Sequence, residues 1–293
     1  MTPRIKINNR TISSQSPVYV VAEMSANHHQ SIEKALEIIR AAKDCGADAV
    51  KIQTYTPDTI TIDCDRDDFQ IKETLWKGKT LYRLYQEAHT PWEWQPELQK
   101  EAQGLGLDFF SSPFDQSAVD FLEKLEVPAY KIASFELVDI PLLKRVAQTG
   151  KPVILSTGMA SLAEIHEAVA ALKDHGCREM ALLKCTSAYP ADARDANLSV
   201  IPFLAQTFNR PSGLSDHSRG SALAVAAVAL GACIIEKHLC LDKGEKGPDT
   251  PFSMKPKEFK KMVEDIRRAR KGIGRVCFDL SKKEEKSLVF RRS

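Results

Sequence analysis

Short runs of apolar residues alternate along the chain with longer segments whose apolar positions recur every three or four residues. The short runs are 18–22, 49–52, 108–110, 129–132, 152–155, 181–184, 212–214 and 233–235. Each is apolar throughout or nearly so, as expected of parallel strands covered on both faces. Between them lie helices. Ser31 opens 32–45, with Ile32, Ala35, Leu36, Ile39 and Ala42 on one stripe. Ser161 and Glu164 form a Ser-x-x-Glu capping box ahead of 165–175. Phe259, Met262, Val263 and Ile266 mark a further helical face near the end. Eight strand–helix alternations within about 250 residues predict an α/β fold, a (β/α)8 TIM barrel. A doubly wound sheet competes, but it places a glycine-rich turn after its first strand. Here that turn reads Glu23-Met-Ser-Ala-Asn-His-His29, without glycine. The long interval 54–107 predicts an excursion over the barrel mouth.

Composition changes this picture little. The 293 residues, 43% hydrophobic and 27% charged, supply one sizeable core. A net charge of +2 gives no electrostatic reason to expect nucleic acid or membrane as a partner. The tail 281–293 holds five basic side chains against two acidic ones, which concentrates the excess there. The opening sixteen residues are mostly polar, and the run 18–22 is far too short for a signal core or a membrane span. Seven cysteines, with no Cys-x-x-Cys pair, read as reduced thiols packing as small hydrophobes. A cytoplasmic protein is the expectation.

The chemistry lies where the strands stop. In barrels of this kind the C-terminal rim of the strands carries the active site. In order, that rim reads Glu23; Lys51 and Gln53; Ser111 and Ser112; Lys131 and Ser134; Ser156 and Thr157; Thr186 and Ser187; Ser215 and His217; and Glu236, Lys237 and His238. A serine after a strand is usually only a turn or a cap, but polar groups at all eight ends point to an active site.

Lys51 and Lys131 sit in near-apolar runs, where a lysine must reach solvent or meet an anion. The hydroxyls of Ser112, Ser134, Ser156 and Ser215 around them favour a phosphate or carboxylate ligand. A lysine Schiff base and an internal Lys–Glu pair are the competing readings. His217 and His238 end adjacent strands about 4.8 Å apart, so both imidazoles can meet one metal ion. Glu23 and Asp249 could add carboxylates, or Asn27-His28-His29 could supply ligands instead, although Asn27 reads better as a helix N-cap. His89, His166 and His175 read as surface or packing residues.

From Ala22-Glu23-Met24-Ser25-Ala26-Asn27-His28 onward the sequence resembles the sialic acid synthase family. The likeness continues through Lys51-Ile-Gln53, Ser111-Ser-Pro-Phe114, Tyr130-Lys-Ile-Ala-Ser134-Phe-Glu136, Leu155-Ser-Thr-Gly-Met159, Lys184-Cys-Thr-Ser187-Ala-Tyr-Pro190, Gly213-Leu-Ser-Asp-His217 and Glu236-Lys-His238. The stretches 75–82 and 85–94 are most similar to the pseudaminic acid branch of that family. The resemblance implies a cytoplasmic, metal-dependent condensation of phosphoenolpyruvate with an acetamido-sugar aldehyde, here 2,4-diacetamido-2,4,6-trideoxy-L-altrose, giving a nonulosonic acid and phosphate. N-acetylneuraminate or legionaminate synthesis is the alternative within the family, and a non-catalytic sugar-binding barrel the alternative outside it.

By the same resemblance, phosphoenolpyruvate would sit on Lys51, Ser112, Lys131, Ser134, Ser156, Ser187 and Ser215. Manganese or magnesium would bind His217 and His238 and polarise the aldehyde oxygen. Glu23 would position or deprotonate the attacking water, and Gln53, Glu136, Tyr189 and Asp249 would hold the sugar. Ser112 and Ser187 depart from the N-acetylneuraminate synthase pattern, which has Thr and Asn there. Family members continue into a small antifreeze-like domain that completes the sugar site of a homodimer. The resemblance therefore implies a catalytic barrel over 1–280, with 281–293 as a tail or the start of a linker.

Overall fold

The computed structural model describes residues 2–72, 76–244 and 247–292. Ten strands occur among them. The first two, β1 (Arg4–Ile7) and β2 (Arg10–Ser13), form an antiparallel hairpin. The other eight are β3 (Tyr19–Glu23), β4 (Ala49–Thr54), β5 (Asp108–Pro113), β6 (Tyr130–Ile132), β7 (Val153–Ser156), β8 (Met180–Cys185), β9 (Ser212–Asp216) and β10 (Ile234–His238). All pair in parallel, and β10 closes on β3 to make an eight-stranded barrel. Seven of the eight run one to three residues beyond the apolar runs.

Strand periodicity of two sorts the residues onto two faces. Val20, Ala22, Val50, Ile52, Phe109 and Ile235 pack outward among the helices. Tyr19, Val21, Ala49, Phe110, Ala129, Ile154, Ala181, Leu183 and Ile234 pack with one another inside. Ile5, Ile7 and Ile12 of the hairpin join that inner cluster and close the barrel floor. Burying each isoleucine is worth about 1.5–3 kcal/mol. The polar reading of the first sixteen residues therefore missed a structural element. Its signal was the alternation in Arg4-Ile5-Lys6-Ile7, which is buried at every second position.

The capping predictions at Ser31 and Ser161 hold, opening helices Ile32–Asp44 and Leu162–Asp174. Phe259, Met262, Val263 and Ile266 form the buried face of helix Pro256–Ile273. Beyond it residues 274–292 are exposed, including a short helix, Lys282–Ser287. The long interval after β4 carries helices Pro57–Ile60, Leu81–Ala88 and Gln95–Gly104. It reaches the mouth: the Trp76 indole N–H donates to the Pro248 carbonyl at 2.9 Å. Leu75, which opens the first of the two branch-like stretches, lies outside the described residues. No helix among the described residues is long and apolar enough to cross a membrane.

Candidate active site

Continuing the inner-face alternation upward places Glu23, Lys51, Gln53, Ser112, Lys131, Ser156, Cys185, Ser215, His217, Glu236 and His238 above the apolar floor, on the barrel's C-terminal rim. At its centre lie two buried lysines and two buried carboxylates. Lys51 pairs with Glu23, and its Nζ is 3.7 Å from Glu236 Oε1. Lys131 Nζ lies 3.5 Å from the same Glu236 oxygen, which also accepts a 3.0 Å hydrogen bond from Ser215. Lys51 reaches Ser112 Oγ at 3.4 Å. All four charged residues are under 5% exposed, and charges so buried persist only when paired.

Burial and ion pairing oppose each other in the titration of this quartet. Burial pushes Glu23 up from the ordinary carboxylate range, against the pull of Lys51. It opposes the charge on Lys51, but Glu23 and Glu236 outweigh it and hold that ammonium above its usual value. Lys131, with a weaker share of carboxylate, is lowered by burial. Glu236 resists the upward push of burial because both lysines face it, and its pKa falls.

Around the quartet stand the hydroxyls. Ser156 Oγ is buried without a hydrogen-bond partner, as is Glu236 Oε2. Ser134 Oγ accepts from the Gly158 N–H at 3.1 Å. A Cβ at 158 would overlap Ser187 Oγ and stand 2.7 Å from Ser134 Oγ, so any larger residue there would displace both hydroxyls. Ser187 Oγ also lies 3.8 Å from Cys185 Sγ.

The imidazoles of His217 and His238 lie 5.4 Å apart between centroids. His217 Nδ1 is 3.0 Å from the Thr186 carbonyl, to which it must donate, leaving its Nε2 lone pair available. Burial lowers His238 well below the usual imidazole value, with further help from His217 and Lys51, so it is neutral. His238 Nδ1 has no hydrogen-bond partner and sits 4.0 Å from Asp249 Oδ2. Burial pulls His217 down too, but contact with Cys185 leaves it raised. Cys185 itself falls to about 7: burial opposes this, but the His217 hydrogen bond prevails. Two imidazoles with an adjacent carboxylate suit a divalent cation. Among the described residues no three His, Cys, Asp or Glu side chains converge as a complete metal cage.

The remaining predicted residues reach the same mouth. Gln53 donates to Ser25 Oγ at 3.0 Å and Glu23 Oε1 at 3.4 Å. Burial raises Glu136 to about 7, and its Oε2 is unpartnered. Asp249, raised chiefly by burial, accepts from the Ala26 N–H at 3.2 Å. The Tyr189 ring lies 4.4 Å from that of His217.

Two expectations fail. Asn27 is no helix cap, that place being taken by Ser31. It donates to the Leu239 carbonyl and Ser253 Oγ, tying the loop after β3 to the one after β10. His28 is no ligand either: its Nε2 meets Thr90 Oγ1 at 3.2 Å and its Nδ1 accepts from the Gln30 N–H at 3.1 Å. Sequence reasoning noted Glu236 but gave it no role. The signal was its position, two residues before His238 on the same inward face. Cys185 was legible in the same way, and Phe252, 5.0 Å from the His238 ring, carried no sequence signal.

A family-wide sequence model, described as NeuB family, matches residues 38–277. The chain belongs to the NeuB family. It is 46% identical over 281 residues to the pseudaminic acid synthase of Campylobacter jejuni, covering 96% of this chain and 82% of that protein. Identity to an N,N'-diacetyllegionaminic acid synthase of the same species is 37% over 278 residues, covering 94% and 83%. Among solved structures, an N-acetylneuraminic acid synthetase from Leptospira borgpetersenii superposes with a TM-score of 0.86 at 34% identity, covering 99% and 97% of the two chains. NeuB-family members are metal-dependent enzymes that condense phosphoenolpyruvate with sugars. This chain is a transferase of that kind and is most like the pseudaminic acid synthases.

Proposed function

We propose that the enzyme condenses phosphoenolpyruvate with 2,4-diacetamido-2,4,6-trideoxy-L-altrose. The observation that carries this reading is a single mouth in which Lys51 and Lys131 lie beside the paired imidazoles of His217 and His238. One half suits a small polyanion and the other a cation. Lys51, Lys131, Ser112, Ser134, Ser156, Ser187 and Ser215 hold the phosphate and carboxylate of the donor. The lysines supply charge-assisted hydrogen bonds, which are roughly twice as strong as neutral ones. The unpartnered Ser156 hydroxyl supports this, since a buried donor without a partner costs about 1–3 kcal/mol.

His217, through its free Nε2, and His238 would hold the metal, with Asp249 beside them. We favour manganese over magnesium because imidazole is a poor ligand for magnesium. Such a cation supplies Lewis-acid polarisation of a carbonyl oxygen. The methylene carbon of phosphoenolpyruvate forms the new C–C bond to the aldehyde carbon, whose oxygen takes up a proton. Water, held by Glu23, adds at the former enol carbon. The proton it sheds passes to Glu23, whose raised pKa suits a base. Phosphate then departs with its bridging oxygen and carries off the remaining hydroxyl proton, leaving the ketone, and the proton held on Glu23 balances the one taken up by the aldehyde oxygen. Gln53, Glu136, Tyr189 and Asp249 hold the sugar. Seven free cysteines and a glycolytic donor support a cytoplasmic setting, and a homodimer is the proposed assembly.

Phosphate release from phosphoenolpyruvate, followed over a panel of 2-acetamido and 2,4-diacetamido sugars with and without manganese, tests the reading. Release is expected only with metal, and fastest with the 2,4-diacetamido-6-deoxy acceptor. Metal-independent turnover that borohydride abolishes would instead establish a Schiff base.

Gly158→Ala offers a second check. Its Cβ would push Ser134 and Ser187 apart, so the phosphoenolpyruvate KM should rise about tenfold, with a stability loss of about 1–3 kcal/mol from overpacking. An unchanged KM in steady-state kinetics would remove both serines from the donor site.

A further inference from the structure

One side of the mouth is polar, built from Glu23, Gln53, Glu136 and the lysines. The other is a continuous run of aromatic rings. Phe252, 3% exposed, stands edge-on to His238 at 5.0 Å and to His217 at 6.2 Å. Tyr189 lies 5.1 Å from Phe252 and 4.4 Å from His217. Trp76, from the excursion after β4, continues the run at 6.1 Å from Tyr189. Its N–H is fixed to the Pro248 carbonyl, one residue before Asp249. Phe252 and Tyr189 thus both flank the histidine pair, and Trp76 lies beyond Tyr189 as the ring not in contact with either imidazole among the ring contacts of the described residues.

This order maps onto the acceptor and rests on the function proposed above. The reacting aldehyde, C1, belongs at the histidines. The far end of the open-chain sugar, C6, then falls beside the ring most removed from them. The geometry points to Trp76 as the residue that selects acceptors ending in a C6 methyl over those ending in a C6 hydroxymethyl. An indole face gains from covering a methyl group but offers a hydroxyl no hydrogen bond to replace the water it loses. Tyr189 joins Trp76 to Phe252, and the hydrogen bond to the Pro248 carbonyl fixes the indole beside it.

The chemistry sets the size of the effect. An apolar wall discriminates against an added hydroxyl by about 10–100-fold in kcat/KM.

The test compares two acceptors that differ at one atom, 2,4-diacetamido-2,4,6-trideoxy-L-altrose and its 6-hydroxy analogue. It uses the wild-type enzyme and the variants Trp76→Phe and Trp76→Gln. The wild type should prefer the 6-deoxy sugar by the factor just given. Trp76→Phe should keep most of that preference, and Trp76→Gln should collapse it toward one. The phosphoenolpyruvate KM should stay put throughout. Equal use of the two sugars by the wild type, or an undiminished preference in Trp76→Gln, would overturn the assignment. So would Trp76→Phe losing as much as Trp76→Gln, since the tether to Pro248 and not the ring face would then be what matters. If the wild type releases no phosphate with either sugar, the proposed condensation falls. Calorimetric affinities for the two sugars in the presence of phosphoenolpyruvate then decide the wall by themselves: tighter 6-deoxy binding upholds it and equal binding overturns it.

Discussion

Replacing Lys131 with methionine is expected to raise the phosphoenolpyruvate KM by about 10- to 150-fold, since a charge-assisted contact to a buried anion is worth about 1.5–3 kcal/mol. Methionine nearly preserves the volume, so the change removes charge without opening a large cavity. The side chain is 2% exposed and its Nζ lies 3.5 Å from Glu236 Oε1. The loss therefore acts twice. The incoming phosphate or carboxylate forfeits one cation, and Glu236 keeps only Lys51, 3.7 Å away, as counter-charge.

Breaking a buried ion pair by removing one partner costs more than replacing both, because the survivor stays uncompensated. Lys131→Met alone should consequently melt at a lower temperature than the double variant Lys131→Met/Glu236→Gln. Neither should recover the donor KM. Kinetics and thermal unfolding measured side by side separate the two effects. A KM unmoved in the single variant would take Lys131 out of the donor site and, with it, the physical basis of the proposed reaction.

The relation between Lys131 and Glu236 also shows what the sequence could and could not disclose. The barrel was legible because a parallel strand buried on both faces must be apolar along its length, and eight such runs spaced by helices leave few topologies. The lysines and histidines were legible because such residues are costly inside apolar runs. Glu236 received no role because its importance lies in distance. Nothing local in Glu236-Lys-His238 says that its carboxylate meets side chains from β4 and β6, which are far away in sequence and brought together only by closure of the barrel.

Asn27 failed for the opposite reason. Asn before a helix is a good cap by local rules. Here Ser31 caps the helix, and Asn27 holds Leu239 and Ser253, more than two hundred residues on. Trp76 and Phe252 belong to this class as well. An aromatic residue in a loop carries no mark of facing an imidazole until the loops are placed.

His238→Ala should weaken manganese binding by more than about 100-fold, given that losing even an outer partner of a metal ligand costs about 10–100-fold. The argument starts from the empty side of the imidazole. A buried ring nitrogen without a hydrogen bond is expensive, and His238 Nδ1 is such an atom. Its neutral state, imposed by burial and by the cationic groups around it, spares it the proton that would compete with a metal. His217 is fixed from behind by the Thr186 carbonyl, so its orientation should survive loss of its neighbour. The variant should thus retain a folded pocket with half its donors. Manganese titration followed by electron paramagnetic resonance reads the affinity directly, without reference to turnover, and thermal unfolding checks the fold. Phosphoenolpyruvate affinity in the absence of metal should change little, because none of the lysines and serines that hold the donor lies on β10 with His238. An intact manganese affinity in His238→Ala would place the cation elsewhere, and His238 would then be an apolar-pocket histidine packed against Phe252.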